Sequence, residues 1–266
     1  MTSSGRPCVL VFAGLDPSGG AGLIADAQSV AAQGAHALTV CTALTVQDND
    51  RVYGVQPVDA DMLLRQAQVL ADKCVISAVK IGITGSAANA RAMAAFIQQL
   101  RARQPELPVV LDPVLASGHG DLLSRDDAVQ SLAPLLPLTT VLTPNGPEAL
   151  ALSGATQADA QAQAQAQALQ ARGCRHVLVT GGHGDGDDVV NRWYGPDASA
   201  GPVNTWRWLR LAGEFHGSGC TLAAAIAAQL ALGLPTAVAL ENAQRYVYHA
   251  LRDAYAIADG QRIPLR

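Results

Sequence analysis

The chain has 266 residues, 49% of them hydrophobic and 4% aromatic, and its 18 Lys and Arg against 22 Asp and Glu give a formal net charge of -4. This length can bury a large core in one big domain or two modest ones, and the lack of a basic stripe argues against nucleic acid as the main partner. Five cysteines without a CxxC pair argue against structural zinc or a disulfide framework and point to a reducing cytoplasm.

The first apolar run, CVLVFAG over 8–14, predicts a strand and is too short for a signal-peptide core. It leads into AGLDPSGGAGLIADAQSV over 13–30, where four glycines and a proline sit between strand and helix. Bare backbone N–H groups there can approach a ligand, although a tight, well-capped turn explains the glycines equally well. The stretch lacks both the GK[ST] ending of a Walker loop and the GxGxxG spacing. Asp26, one or two turns into the helix, is either a partner for a ligand's amine or hydroxyl or a solvated first-turn acid.

Further strands are expected at 37–45, 78–82, 108–113, 140–144 and 176–182, with helices near 20–33, 59–72, 86–103, 125–135, 147–153 and 157–172. Apolar runs each followed by a crossover helix predict one α/β domain over 1–266, a mainly parallel sheet covered on both faces. Ligands bind such sheets beyond the carboxyl ends of the strands, and the distinctive residues gather there. Asp112 leaves the strand PVVLDP, where a buried acid needs a cation or donor as partner. Asn145 and Glu148 follow TVLTP in a turn stiffened by Pro144 and Pro147. Singly each acid reads as a helix cap; together on one edge they suit a hydrated Mg2+ bridging phosphates.

The Gln/Ala-rich segment 157–173 reads as an exposed helix without function. GDGDDVVNRWYGPDASAGP predicts a flexible acidic turn, a short strand and another turn, and WYG…NTWRWLRL a two-stranded excursion placed to cover a nucleotide. Then Gly217, Ser218 and Gly219 run into Cys220 and two long helices, near 220–232 and 235–258. The apolar part of these, 222–234, is broken by Gln229 and Gly233 and falls short of a membrane span. A GSG turn opening a helix forms a nest of N–H groups that holds developing negative charge. A thiol at that helix start is expected to have a lowered pKa and to act as a base toward a hydroxyl; packing is its plainer role.

In order, GLDPSGGAGLIAD, TALTVQDN, AVKIG, VVLDPV, TPNGPEAL, VTGGH and HGSGCTLAAAIA resemble the motifs of the hydroxymethylpyrimidine/phosphomethylpyrimidine kinases of thiamine biosynthesis, within the ribokinase-like superfamily. The resemblance covers nearly the whole chain. It implies a three-layer α/β/α fold with a mainly parallel central sheet, usually a homodimer. It also implies ATP-dependent phosphorylation of 4-amino-5-hydroxymethyl-2-methylpyrimidine, then of the monophosphate. By the same resemblance Asp26 and Gln47 recognise the aminopyrimidine, with Gly14 and Val114 near its ring. Asp112 and Glu148 organise Mg2+, and Asn145, Thr180 and Gly182 lie at the nucleotide. Gly217, Ser218 and Gly219 form the anion hole, and Cys220 activates the hydroxyl.

The chain departs from the family pattern at four places. Thr180 and Gln244 stand where the resemblance leads one to expect lysines, Ile83 where a methionine is common, and Asp48 adds an acid beside Gln47. Two competing readings are a pyridoxal kinase of the same branch and a non-catalytic pyrimidine-binding relative. Gln47 and DPSGGAG favour the pyrimidine over pyridoxal, and a pure binder has no need of Asp112, Glu148 and the GSGC turn together.

Overall fold

The computed structural model, which describes residues 5–266 except 118, 122, 124–125, 156–161 and 185, turns the first apolar run into β1 (Cys8–Leu15). Side chains alternate across a strand, so Val9 and Val11 enter one core while Leu10 and Phe12 enter another. All four are fully buried, which is why this strand reads as continuously apolar.

Along the chain follow α1 (Gly22–Ala32), β2 (His36–Gln47), β3 (Val52–Pro57), α2 (Ala60–Lys73), β4 (Ile76–Ile81), α3 (Ala87–Arg103), β5 (Val109–Leu111), α4 (Ala128–Leu132) and β6 (Val141–Leu142). Next come α5 (Gly146–Ser153), α6 (Ala162–Ala171), β7 (His176–Val179), β8 (Asp188–Tyr194), β9 (Asn204–Leu209), α7 (Ser218–Ala231) and α8 (Thr236–Arg252). The strands form one sheet in the order β3-β2-β1-β4-β5-β6-β7-β8-β9. The ladders from β2 through β7 are parallel, and those of β3, β8 and β9 are antiparallel.

One face is covered by α2, α3, α5 and α6, which contribute Leu63, Met93, Leu152 and Leu169 to its core. On the other, α1, α7 and α8 contribute Val30, Ile226 and Leu240. The row Ala223–Ala228, alanine but for Ile226, is fully buried; small side chains let α7 lie close to the sheet. The three-layer α/β/α arrangement expected from the sequence is present.

Two local expectations change, one strand was not anticipated, and the two-stranded excursion is present. The Gln/Ala-rich helix is not an exposed one: α6 buries Gln165, Ala166 and Leu169, and its expected start at 157–161 lies outside the described residues, as do Arg125 of the helix expected at 125–135 and Asp185 of the acidic turn. The last helix stops at Arg252 rather than 258, and the chain beyond it returns as a bridge between Tyr255 and Ile263. β3 went unrecognised because its only ladder is the antiparallel one to β2, a hairpin at the sheet edge. The two-stranded excursion is β8 paired to β9, joined to the main sheet through β7.

Candidate active site

Because β1, β4, β5, β6 and β7 run parallel, their carboxyl ends share one edge of the sheet. A cavity of about 650 Å³ lies along that edge, a volume suited to small-molecule ligands. Gly14, Gln47 and Val114 line it together with Asp112, Asn145 and Glu148. Thr180, Gly182, Gly217, Ser218, Gly219 and Cys220 complete the wall.

Asp26 is the exception. It is not among the residues that line the cavity: its carboxylate is fully buried, and its Oδ2 accepts a 2.7 Å hydrogen bond from Lys80 Nζ, itself fully buried. The reason is geometric, since α1 presents Asp26 inward to β4, and a buried lysine demands a counter-charge. Burial alone favours a neutral pair; the short contact favours the charged one. Burial works to lower the pKa of Lys80, but the neighbouring carboxylates of Asp26 and Asp112 outweigh it, so Lys80 stays protonated.

Two loops meet at the mouth of α7. Asp16, almost fully buried, accepts hydrogen bonds from Ser18 N at 2.8 Å and Ala21 N at 2.7 Å. Its Oδ2 also lies 2.8 Å from His216 Nε2. Burial works to raise this carboxyl, but His216, Ser18 and Ala21 together hold it below its ordinary value. Gly217 adopts φ +80°, and a Cβ there would fall 2.0 Å from Gly20 O, so only glycine lets the two loops touch. Arg266 ties them a second time through Gly20 O and Thr221 Oγ1. A Cβ on Gly14 would overlap Ile83 Cδ1 at 2.4 Å, so a side chain there would have to displace Ile83, which lines the same cavity.

Asn145 and Glu148 play both roles that the sequence left open. They form a capping box for α5, with Glu148 N donating to Asn145 Oδ1 at 2.9 Å and Asn145 N donating to Glu148 Oε2 at 2.9 Å. Yet Glu148 also lines the cavity beside Asp112. Burial, then repulsion from Asp112, pushes its carboxyl up to about 8. Burial likewise pushes Asp112 to about 6, with Asp26 adding to the rise and Lys80, Cys220 and Thr143 opposing it. Asp112 Oδ2 is buried without a hydrogen-bond partner. Two crowded carboxylates with an unpartnered oxygen are what a hard divalent cation satisfies, so the residues fit Mg2+. A second group, Asp50, His119 and Glu214, brings ligand atoms within 4.8 Å of one another. It is partly exposed, and Asp50 already bonds His119 at 3.1 Å.

The thiol departs from expectation. The helix start does favour a thiolate, but burial outweighs it, and the charges of Asp112 and Asp26 add to the effect. Lys80 and the Gly22 backbone pull the other way, and the net result pushes Cys220 up to about 12. Cys220 is therefore a protonated thiol at neutral pH, not a preformed thiolate.

Sequence reasoning missed Lys80, the Asp16–His216 contact and Arg266. Lys80 carried a signal, as one of only two lysines and placed within the apolar run AVKIG. The others depend on contacts across some 200 residues of sequence, for which no local pattern exists.

A profile of the phosphomethylpyrimidine kinase family matches residues 16–265. The chain is 36% identical to the hydroxymethylpyrimidine/phosphomethylpyrimidine kinase of Rhizobium meliloti, over 95% of this chain and 93% of that protein. It is 38% identical to the thiamine biosynthesis multifunctional protein ThiED of Corynebacterium efficiens over 96% of this chain, and it spans 34% of that longer protein. Among solved structures, the pyridoxal kinase of Staphylococcus aureus in complex with AMP-PCP and pyridoxal superposes with a TM-score of 0.81. The identity is 25%, covering 98% of this chain and 94% of that one.

Proposed function

The chain belongs to the phosphomethylpyrimidine kinase family, and on that footing we propose that it phosphorylates 4-amino-5-hydroxymethyl-2-methylpyrimidine and then the resulting monophosphate. It is an ATP-dependent kinase of thiamine biosynthesis with a ribokinase-like fold. The observation that carries the reading is the meeting of the α7 N-terminus with Asp112. A Cβ on Gly219 would lie 3.7 Å from both Asp112 oxygens, so an anion nest and a carboxylate border the same small volume.

In the proposed reaction the substrate hydroxyl oxygen bonds the γ-phosphorus of ATP as the bond to the β-phosphate oxygen breaks and ADP leaves. The N–H groups of Gly217, Ser218 and Gly219 hold the charge on the phosphoryl oxygens. The transition state of such transfers is loose, so the hydroxyl proton leaves late. A thiol suffices for this: Cys220 sulfur orients the hydroxyl and relays its proton toward Asp112, ionised at neutral pH with a value of about 6. Lys80 keeps that carboxylate ionised from beneath. Asp112 and Glu148 would hold Mg2+, which supplies positive charge against the phosphates. Gln47, Gly14 and Val114 border the pyrimidine; Asn145, Thr180 and Gly182 border the nucleotide.

A pyridoxal kinase is the second reading, favoured by the Staphylococcus aureus likeness; the relative that matches most of its own length at 36% identity favours the pyrimidine. A homodimer is supported by apolar side chains exposed on the edge hairpin, where Leu44, Val46 and Tyr53 are 51%, 66% and 69% exposed. Cytoplasmic residence is supported by five unpaired cysteines. Among the described residues no helix is long and apolar enough to cross a membrane. Purified protein given Mg·ATP and the pyrimidine should release ADP and yield a product heavier by one phosphoryl group, then two. ADP release from pyridoxal alone would favour the second reading, and no turnover with either would overturn both.

A further inference from the structure

β9 reads NTWRWL, with Arg210 directly after it, and exposure alternates across the stretch: Trp206, Trp208 and Arg210 are half-buried, while Arg207 and Leu209 are exposed. Trp208 and Arg210 both line the cavity, as does Leu209 between them. Trp208 stands against Tyr248 with ring centroids 5.3 Å apart, making an aromatic wall two positions before Arg210 in the chain.

Arg210 folds onto the glycine loop that follows β7. Its Nε donates to Gly186 O at 2.7 Å, one Nη to Gly182 O at 2.8 Å and the other to Gly184 O at 2.7 Å. Its backbone N donates to Asp187 O at 2.7 Å. A guanidinium has five N–H donors in a planar fork; three are used, and one on each terminal nitrogen remains. The cavity wall carries three fixed cations among the described residues, Arg51, Lys80 and Arg210. Arg51 is paired with Asp121 at 2.6 Å and Lys80 with Asp26 at 2.7 Å. Arg210 has no carboxylate partner among the described residues, only carbonyls. It is thus the wall's one uncommitted positive charge there, on the same cavity as the N–H groups of the α7 turn.

A flat aromatic face, an unpaired cation and a helix N-terminus around one cavity match the base and polyphosphate of a nucleotide. We propose that Arg210 holds the polyphosphate of the bound nucleotide, clamping the carbonyls of Gly182, Gly184 and Gly186 with three N–H groups and meeting phosphate oxygen with the other two. This rests on the kinase reading above. It also explains how the site can dispense with a cation at Thr180, which faces the same volume.

Calorimetric titration of ATP, ADP and adenosine into wild type and variants tests the assignment. Arg210→Gln should weaken ATP and ADP about 10- to 100-fold, the range for a charge-assisted hydrogen bond, and change adenosine less than about 3-fold. Thr180→Lys added to Arg210→Gln should return ATP affinity to within about 10-fold of wild type, since a lysine there restores charge without the clamp. Should Arg210→Gln not fold, Arg210→Lys takes its place, with ATP within about 10-fold of wild type expected. Equal loss of ATP and adenosine in either variant would make Arg210 a loop brace only and overturn the proposal. So would wild-type ATP affinity in Arg210→Gln. Wild type that binds no ATP would overturn the kinase reading itself.

Discussion

Replacing Lys80 by methionine probes the charge arrangement on which the site depends. The Lys80 and Asp26 side chains are fully buried and 2.7 Å apart, and Asp26 Oδ1 already lacks a partner. Lys80→Met leaves a buried carboxyl without compensation, a change that costs about 3–5 kcal/mol. At about 2–4 °C per kcal/mol for a chain near this size, the melting temperature should fall by about 6–20 °C. Asp26→Leu together with Lys80→Met replaces the pair by apolar groups of similar volume, which is often neutral or stabilising. The double variant should therefore melt well above the single one. Turnover should stay low in both, because Asp112 loses the ammonium that opposes its rise to about 6. Differential scanning calorimetry of the three proteins reads the first effect and ADP release the second. A single variant melting within about 2 °C of wild type, or a double variant no better than the single, would refute the reasoning.

Cys220→Ala should lower kcat at least about 100-fold while the pyrimidine KM shifts less than about 3-fold; equal changes in both would make the residue structural. Because the thiol lies at about 12 instead of 9.0, its thiolate is scarcer by a factor on the order of 1000. Iodoacetamide at neutral pH should spare it relative to free cysteine, and modification at the free rate would mean a preformed thiolate. Glu148, raised from 4.5 to about 8, binds its proton more tightly in the folded state. Its contribution to stability is complete below 4.5 and is lost as pH rises through about 8. In magnesium-free buffer Glu148→Gln should flatten the decline in melting temperature across that window, and parallel profiles for the two proteins would contradict the assignment.

The sheet was legible because burial on both faces leaves a plain mark: β1 must be apolar at Val9, Leu10, Val11 and Phe12 alike. The site edge was legible for a related reason, since glycines and acids directly after apolar strands have few structural uses, and most of the residues so marked line one cavity. The burial of Asp26 was not legible because its partner, Lys80, lies 54 positions away on β4, and a helix acid looks the same whether it faces solvent or a buried ammonium. The direction of the Cys220 shift was misread because the helix start is visible in one dimension. The acids that crowd the thiol, Asp112 and Asp26, converge on it only in three. β3 and the true extent of β8 and β9 escaped for want of long apolar runs; β3 and β9 are the sheet's two edges, and β8 joins β9 to β7.

The central claim is that this cavity phosphorylates a hydroxymethylpyrimidine through the α7 anion nest and Asp112. Its most direct test is the ratio of kcat/KM for the pyrimidine to that for pyridoxal, measured with Mg·ATP in wild type and in Asp112→Asn. The account predicts a ratio well above one in wild type and a fall of at least about 100-fold in kcat for both substrates in the variant. A ratio at or below one, or an Asp112→Asn enzyme as fast as wild type, would contradict it.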